Sequence, residues 1–448
     1  MRVVLIICMI TILGSVWMPS IASSQEEWGI EDVLKLIDNA PELKLAQIQL
    51  NNAQSAFNTA LSAFSPQLNG GIGYSKGEES VTTNLGGTII QPFEGGKATL
   101  SLTQIINEDS PAGLALFKAQ RELYKAKNTF NTTKKNLEIK IIDQFYNALF
   151  AQRQLEIAKD NLILAQKKLK MAEDQFSAKA ITESSFMDAQ LSVNDSQINL
   201  NSAQSNAELA LLTLFNTLGI APKDVKLKGD FTYNPSELSL DDLIKEAISN
   251  NLDLKNAQFS LEEAERAYRE ALKSDTTISL SGSYSPQNGH DLSVSIDSKN
   301  YQLGLSYSFP VGNYEGSNTS NTWSIGISLS TPIFDGGSKT ETIKQAELQV
   351  EQAKVNLENT RKSVELSVRQ NYQTVMSNKE QVERAKLNLS QKDLIVKNQE
   401  ARFKLGLITQ LDLDSANIQL NQAKLDMDKA IVNYKVSLLQ LELILGKE

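Results

Sequence analysis

The sequence predicts a mainly α protein: a duplicated unit of strands and long helical hairpins, whose strands suit a transmembrane β-barrel shared between chains. Three observations point there. The chain repeats itself, with Phe176 falling on Phe403 at a shift of 227 residues and Ile181-Thr182, Ala189 and Leu218-Gly219 falling on Ile408-Thr409, Ala416 and Leu445-Gly446. Two stretches, about Pro111–Ala178 and Ser338–Leu405, have no internal Pro and almost no Gly. Short segments between the helices alternate aliphatic residues with Ser, Gly and Thr.

Composition removes several classes of function. The 448 residues carry 44 basic and 53 acidic side chains, a net charge of -9, which argues against a nucleic-acid binder. One His and one Cys leave no disulfide framework, no Cys-based metal site and little His chemistry. Carboxylate runs such as Glu262-Glu263-x-Glu265 read as solvated helix faces, and His290 lies in a loop-like segment. No catalytic residue, cofactor site or metal site is assigned, and the protein is read as not an enzyme.

Residues 1–24 read as a signal peptide: Arg2, an apolar run from Val3 to Trp17, then small residues, with cleavage near 22–24. The sole cysteine, Cys8, lies in that run, so the mature chain has none. No later apolar run is long enough for a membrane helix, so any crossing falls to strands.

Residues 25–219 form the first repeat, with a helix over about Glu42–Phe64 and strands near 67–75 and 97–106. Its long helix and a partner over about Thr182–Thr217 follow. The spacer Lys76–Gly96 is polar and Gly-rich, as an external loop would be. Each long helix is on the order of 100 Å at 1.5 Å per residue, more than a globular core needs. Leu155, Ala158, Leu162, Ala165, Leu169, Ala172 and Phe176 recur every three or four residues, a heptad signature for packing on a parallel rod. Residues 220–239 hold Pro222, Gly229 and Pro235 and read as a connector.

Residues 240–448 repeat the pattern, with helices over about Leu252–Ser274 and Thr409–Leu445 and strands near 278–284 and 323–333. The corresponding heptad stripe runs Leu413, Ala416, Leu420, Ala423, Met427, Ala430, Tyr434. Residues 291–311 also alternate and could form an external hairpin or extra wall strands. Aliphatics on one face and small polar residues on the other suit lipid outside and water inside. Four strands cannot close a water-filled barrel, so several chains must share one.

Two motifs then carry a family resemblance across the mature chain: Thr331-Pro332-Ile333-Phe334-Asp335-Gly336-Gly337 after the last strand, and Phe403 through Leu413 at the far helical turn. With the duplication, the chain resembles the outer-membrane efflux family, the TolC-like channels. Pro332 can end a strand pairing, Gly336 and Gly337 permit a sharp entry into the helix, and Gly406 can end it. In the first half Lys179 stands where Gly406 would, and Gln104 through Asp109 lacks the glycines of the junction.

The resemblance implies a homotrimer with a 12-stranded β-barrel in the outer membrane, continuous with a periplasmic α-helical barrel and with the connector in an equatorial region. It implies a passive export duct of a tripartite efflux or type I secretion system, docking with a periplasmic adaptor and an inner-membrane pump. The alternative is a structural periplasmic coiled-coil or adaptor protein. The turns bearing Ala180, Ile181, Thr182 and Gly406, Leu407, Ile408, Thr409 are expected to dock the adaptor, with their apolar residues exposed. Asp188, Asp412 and Asp414 are expected to form an acidic lumen constriction, in which mutual repulsion attracts cations and raises carboxyl pKa values. Pro332, Asp335, Gly336 and Gly337 form the strand-to-helix junction.

Overall fold

The computed structural model describes residues 26–82, 86–235, 237–312 and 321–446; residues 1–24, read above as a signal peptide, lie outside the described residues, Cys8 included. No helix among the described residues is long and apolar enough to cross a membrane. The first half contains β1 (Glu26–Trp28), α1 (Ile30–Leu34), a single 3-10 turn, α2 (Pro41–Ser62), β2 (Gln67–Thr82), β3 (Thr88–Ile105), α3 (Pro111–Ser177) and α4 (Glu183–Leu218). Then follow β4 (Val225–Leu227), α5 (Leu240–Asn250), α6 (Leu252–Leu272), β5 (Thr277–Ser285), β6 (Asp291–Asp297), β7 (Gln302–Val311), β8 (Thr322–Ser330), α7 (Ser338–Lys404) and α8 (Gln410–Ile444).

Both long helices, α3 and α7, have 67 residues. Along α3 lie α2 and α4, with 22 and 36 residues, stacked end to end. The Leu-Gly repeat marks that joint. Gly219 leaves α4 at φ 68°, and a Cβ there would sit 2.9 Å from the Asn39 carbonyl oxygen and the Pro41 ring. Gly446 does the same after α8 at φ 70°, where a Cβ would meet the Asn250 carbonyl at 2.7 Å. Only glycine combines the left-handed backbone with so close an approach.

The heptad stripes pack rod against rod. Ala158, Ala165 and Ala172 on α3 are buried, as are Ala416, Leu420, Ala423, Ala430 and Tyr434 on α8. Facing α8, α7 buries Val364, Val368, Val375 and Val382. The thickest packing is halfway along the rods. There Leu137, Ile141, Phe145 and Leu149 of α3 meet Val33, Leu214, Phe215 and Val225. At that level β1 pairs in parallel with β4, which lies in the connector. Arg153 of α3 ties to Asp428 of α8 at 2.5 Å, joining the two halves.

The six longer strands form one antiparallel sheet in the order β2-β3-β7-β6-β5-β8. One expectation changes here. The spacer Lys76–Gly96 is mostly strand and not loop, because β2 and β3 stay in unbroken register out to Thr82 opposite Thr88. Residues 291–311, open in sequence to both an external hairpin and extra wall strands, form β6 and β7 within this sheet, between β3 and β5. Spatially, β8-β5-β6-β7 is a Greek key. β8 stops at Ser330, one residue before Thr331-Pro332, where the missing proline amide would break the ladder.

Candidate functional site at the helical turns and the strand-to-helix junction

The turns after α3 and α7 lie at the opposite end of the rods from the sheet. Both close in the same way. In the first, the Lys179 amide donates to the Phe176 carbonyl at 2.9 Å and Ala180 to Gln175 at 2.7 Å. In the second, Gly406 donates to Phe403 at 2.9 Å and Leu407 to Arg402 at 2.9 Å. This is the Schellman arrangement, which needs a left-handed residue. Gly406 supplies it at φ 71° and Lys179 at φ 57°. The mismatch in sequence is therefore no mismatch in backbone: Lys179 adopts the strained conformation.

Each turn is followed by a threonine cap. Thr182 Oγ1 accepts from the Ser185 amide at 3.2 Å. Thr409 Oγ1 accepts from the Asp412 amide at 3.3 Å, and Asp412 Oδ2 accepts from the Thr409 amide at 2.9 Å, completing a capping box. Ser185 and Asp412 are equivalent under the repeat.

Exposure at the turns divides by position. Ala180 and Leu407 are exposed, but Ile181 and Ile408 are half-buried, against the expectation that all four stand out. The isoleucines precede the caps, at the position of a hydrophobic staple, with Phe186 and Leu413 at its other end. Phe176 and Phe186 stack at 5.2 Å across the first turn.

The three aspartates do not share one environment. Asp188 is exposed on α4. Asp412 is committed to its cap, and the Thr409 hydroxyl and amide hold its carboxyl below the usual range, with Lys168 and Arg402 assisting. Asp414 is half-buried and paired with Lys167 of α3 at 2.8 Å; Lys167 and then Gln410 lower its pKa. Within one chain the direction is thus opposite to the expected rise, because hydrogen bonds and cations outweigh desolvation. The ties Lys167–Asp414 and Arg153–Asp428 carried no sequence signal, since each spans more than 240 residues.

At the junction Pro332 follows β8, and Gly336 and Gly337 turn the chain at φ 68° and 89°. The Asp335 carboxylate accepts from the Gly337 and Lys339 amides at 2.9 and 2.8 Å, capping α7. These bonds, that from Lys339 first, lower its pKa. The first half enters α3 differently: buried Ser110 accepts from the Gly113 amide at 3.2 Å, and Pro111 takes the first helical position.

A family profile described as outer membrane efflux protein matches residues 34–220 and 243–447. The chain belongs to the outer membrane efflux protein family. This efflux protein is 24% identical over 423 residues to the outer membrane protein TolC of Vibrio cholerae, covering 91% of this chain and 88% of that one. In fold it is similar to CusC, with a TM-score of 0.67, 16% identity and coverage of 94% and 92%. It is also similar to the CmeC outer membrane channel of Campylobacter jejuni, with a TM-score of 0.65, 17% identity and coverage of 93% and 85%. The two family matches, one on each repeat, place the efflux protein in the outer membrane with its long rods extending from the sheet.

Proposed function

We propose that three copies of the efflux protein assemble into a passive duct of a tripartite efflux system, with barrel in the outer membrane and helical tube in the periplasm. The observation that carries this reading is the sheet: over the height of β5 and β8 one face is largely apolar and the other Ser- and Gly-rich, and among the described residues its two edge strands, β2 and β8, are each paired on one side only. Such a sheet cannot close on itself and needs further copies to remove its edges. The rods support the same conclusion. Met187, Leu191 and Ile198 on α4, and Leu387 and Leu394 on α7, are exposed at heptad spacing, and no helix among the described residues covers them. Neighbouring protomers would cover them. The expected 12 strands presumed four per chain; the single chain brings six.

The helical turns form the periplasmic mouth and meet a periplasmic adaptor, which couples the duct to an inner-membrane pump. Leu405 and Leu407, 73% and 65% exposed, supply the apolar contact, while Ile181, Ile408, Thr182 and Thr409 shape the turns behind it. Asp188 and Asp412 line the constriction; Asp414 contributes less charge because Lys167 neutralises it.

Native mass spectrometry of the detergent-extracted protein tests assembly: a trimer is expected, and a monomer that still conducts ions in planar bilayers would refute it. Leu407→Asp should abolish adaptor crosslinking while the trimer persists; undiminished crosslinking would remove the docking role.

A further inference from the structure

Every strand pairing in the sheet is antiparallel, so the six strands alternate in direction from β2 to β8. An even count leaves the two edges running oppositely. β8 of one chain would therefore meet β2 of the next in antiparallel sense, as a closed ring requires.

The register continues across all six strands without a change of face. One row reads Gly70, Leu100, Tyr307, Leu292, Tyr284, Trp323. The adjacent row, on the other face, reads Asn69, Ser101, Ser306, Ser293, Ser283, Ser324. The hairpin β6–β7 thus places Leu292 and Tyr307 on the apolar face, and Ser293 and Ser306 on the polar one. A hairpin outside the membrane has no physical reason to keep both rows. Three aromatic rings at one level also fit the interfacial girdle of a membrane barrel.

We propose that this hairpin is a barrel-widening insertion and that, given the trimeric reading above, three chains close an 18-stranded barrel through β8–β2 contacts. The occupant of each open edge is a second copy of this chain. Among the described residues β8 pairs with β5 alone, and its other backbone edge would template aggregation if left unpaired. At ordinary strand spacing and tilt, 18 strands give a backbone diameter of about 36 Å, against about 24 Å for 12. Inserting strands in a pair preserves both the alternation of direction and the assignment of faces, so the rest of the sheet is undisturbed.

The cysteine-free mature chain makes the test direct. Single variants Ser293→Cys, Ser306→Cys, Val294→Cys and Leu305→Cys would be reconstituted as full-length protein and labelled with bimane. Nitroxide-bearing lipid should quench positions 294 and 305 at least about threefold more than 293 and 306. The latter two should react with a charged, membrane-impermeant maleimide. If all four react with that maleimide and none is quenched, the hairpin is external and the proposal fails. A native-mass trimer in that experiment would leave the duct reading standing, whereas a monomer would overturn both. For closure, Asn69→Cys would be combined in turn with Ser324→Cys, Gly326→Cys and Ser328→Cys. Covalent trimers after oxidation are expected for at least one pair; their absence for all three would rule out the β8–β2 contact.

Discussion

The two helical turns reach one backbone geometry with different residues, whereas the two helix entries differ in backbone as well: Ser110 is extended before α3 and Gly337 is left-handed before α7. Lys179 and Gly406 occupy the same left-handed position, yet only the glycine does so without strain. The first half caps its helices with hydroxyls, Ser110 and the Thr182–Ser185 pair. The second half adds carboxylates, Asp335 at the entry and Asp412 beside the Thr409 hydroxyl. At the turns duplication has kept the hydrogen-bond pattern and let the residues that adopt it diverge; at the entries the pattern has diverged too. The halves should therefore respond differently to backbone substitutions and to acid.

The largest contrast is expected at the entries. A Cβ at Gly113 would lie 1.7 Å from the Glu108 carbonyl oxygen, whereas one at Gly337 would meet nothing within 4 Å. Gly113→Ala must shift backbone and should cost about 3 kcal/mol, enough to lower trimer yield. Gly337→Ala carries only the left-handed strain, about 1–2 kcal/mol. Equal trimer yields and melting behaviour for the two variants would break the contrast.

Next come the turns. Gly406→Lys should weaken the second turn by about 1–2 kcal/mol and make it resemble the first. Lys179→Gly should stabilise the first by under about 1 kcal/mol, because glycine's greater freedom in the unfolded chain offsets part of the relieved strain. Hydrogen exchange at Ala178–Glu183 and Leu405–Gln410 should move in opposite directions in the two variants. Movement in the same direction would mean that something other than φ controls the turns.

The smallest effect concerns acid. The carboxyls of Asp335 and Asp412 titrate below their usual range, so their contribution is present above the unfolded value of about 3.9. It is lost as pH falls through the lower folded value. Below about pH 4, exchange protection should fall at Gly337–Lys339 and Thr409–Asp412 but persist at Gly113 and Ser185. Uniform loss at all four would mean global acid unfolding and erase the distinction.

The rods were legible in the sequence because their signals are local: no internal proline, alanines at heptad spacing, and a Leu-Gly joint that recurs at Gly219 and Gly446. Alternation also marked the strands. Their neighbours were not legible, since the insertion of β6–β7 between β3 and β5 is a matter of long-range pairing that alternation does not encode. The three-residue strands β1 and β4 are too short to show a period. At the turns, the motif around Gly406 was readable, but the burial of Ile181 and Ile408 depends on how the chain folds back. The two ties from α3 to α8 depend on the packing of both repeats and leave no trace in either one.

The thick core around Phe145 and Val375 lies near the midpoints of the two 67-residue helices, with roughly 50 Å of rod on either side. In mechanical terms the core is a fulcrum and each rod a lever. A rotation of about 5° there would carry the distal turns through about 4 Å, roughly three-quarters of a helical pitch. The packing at the waist would then need only small adjustments to swing the mouth, and a side chain tens of ångströms from the aperture could set how wide it stands.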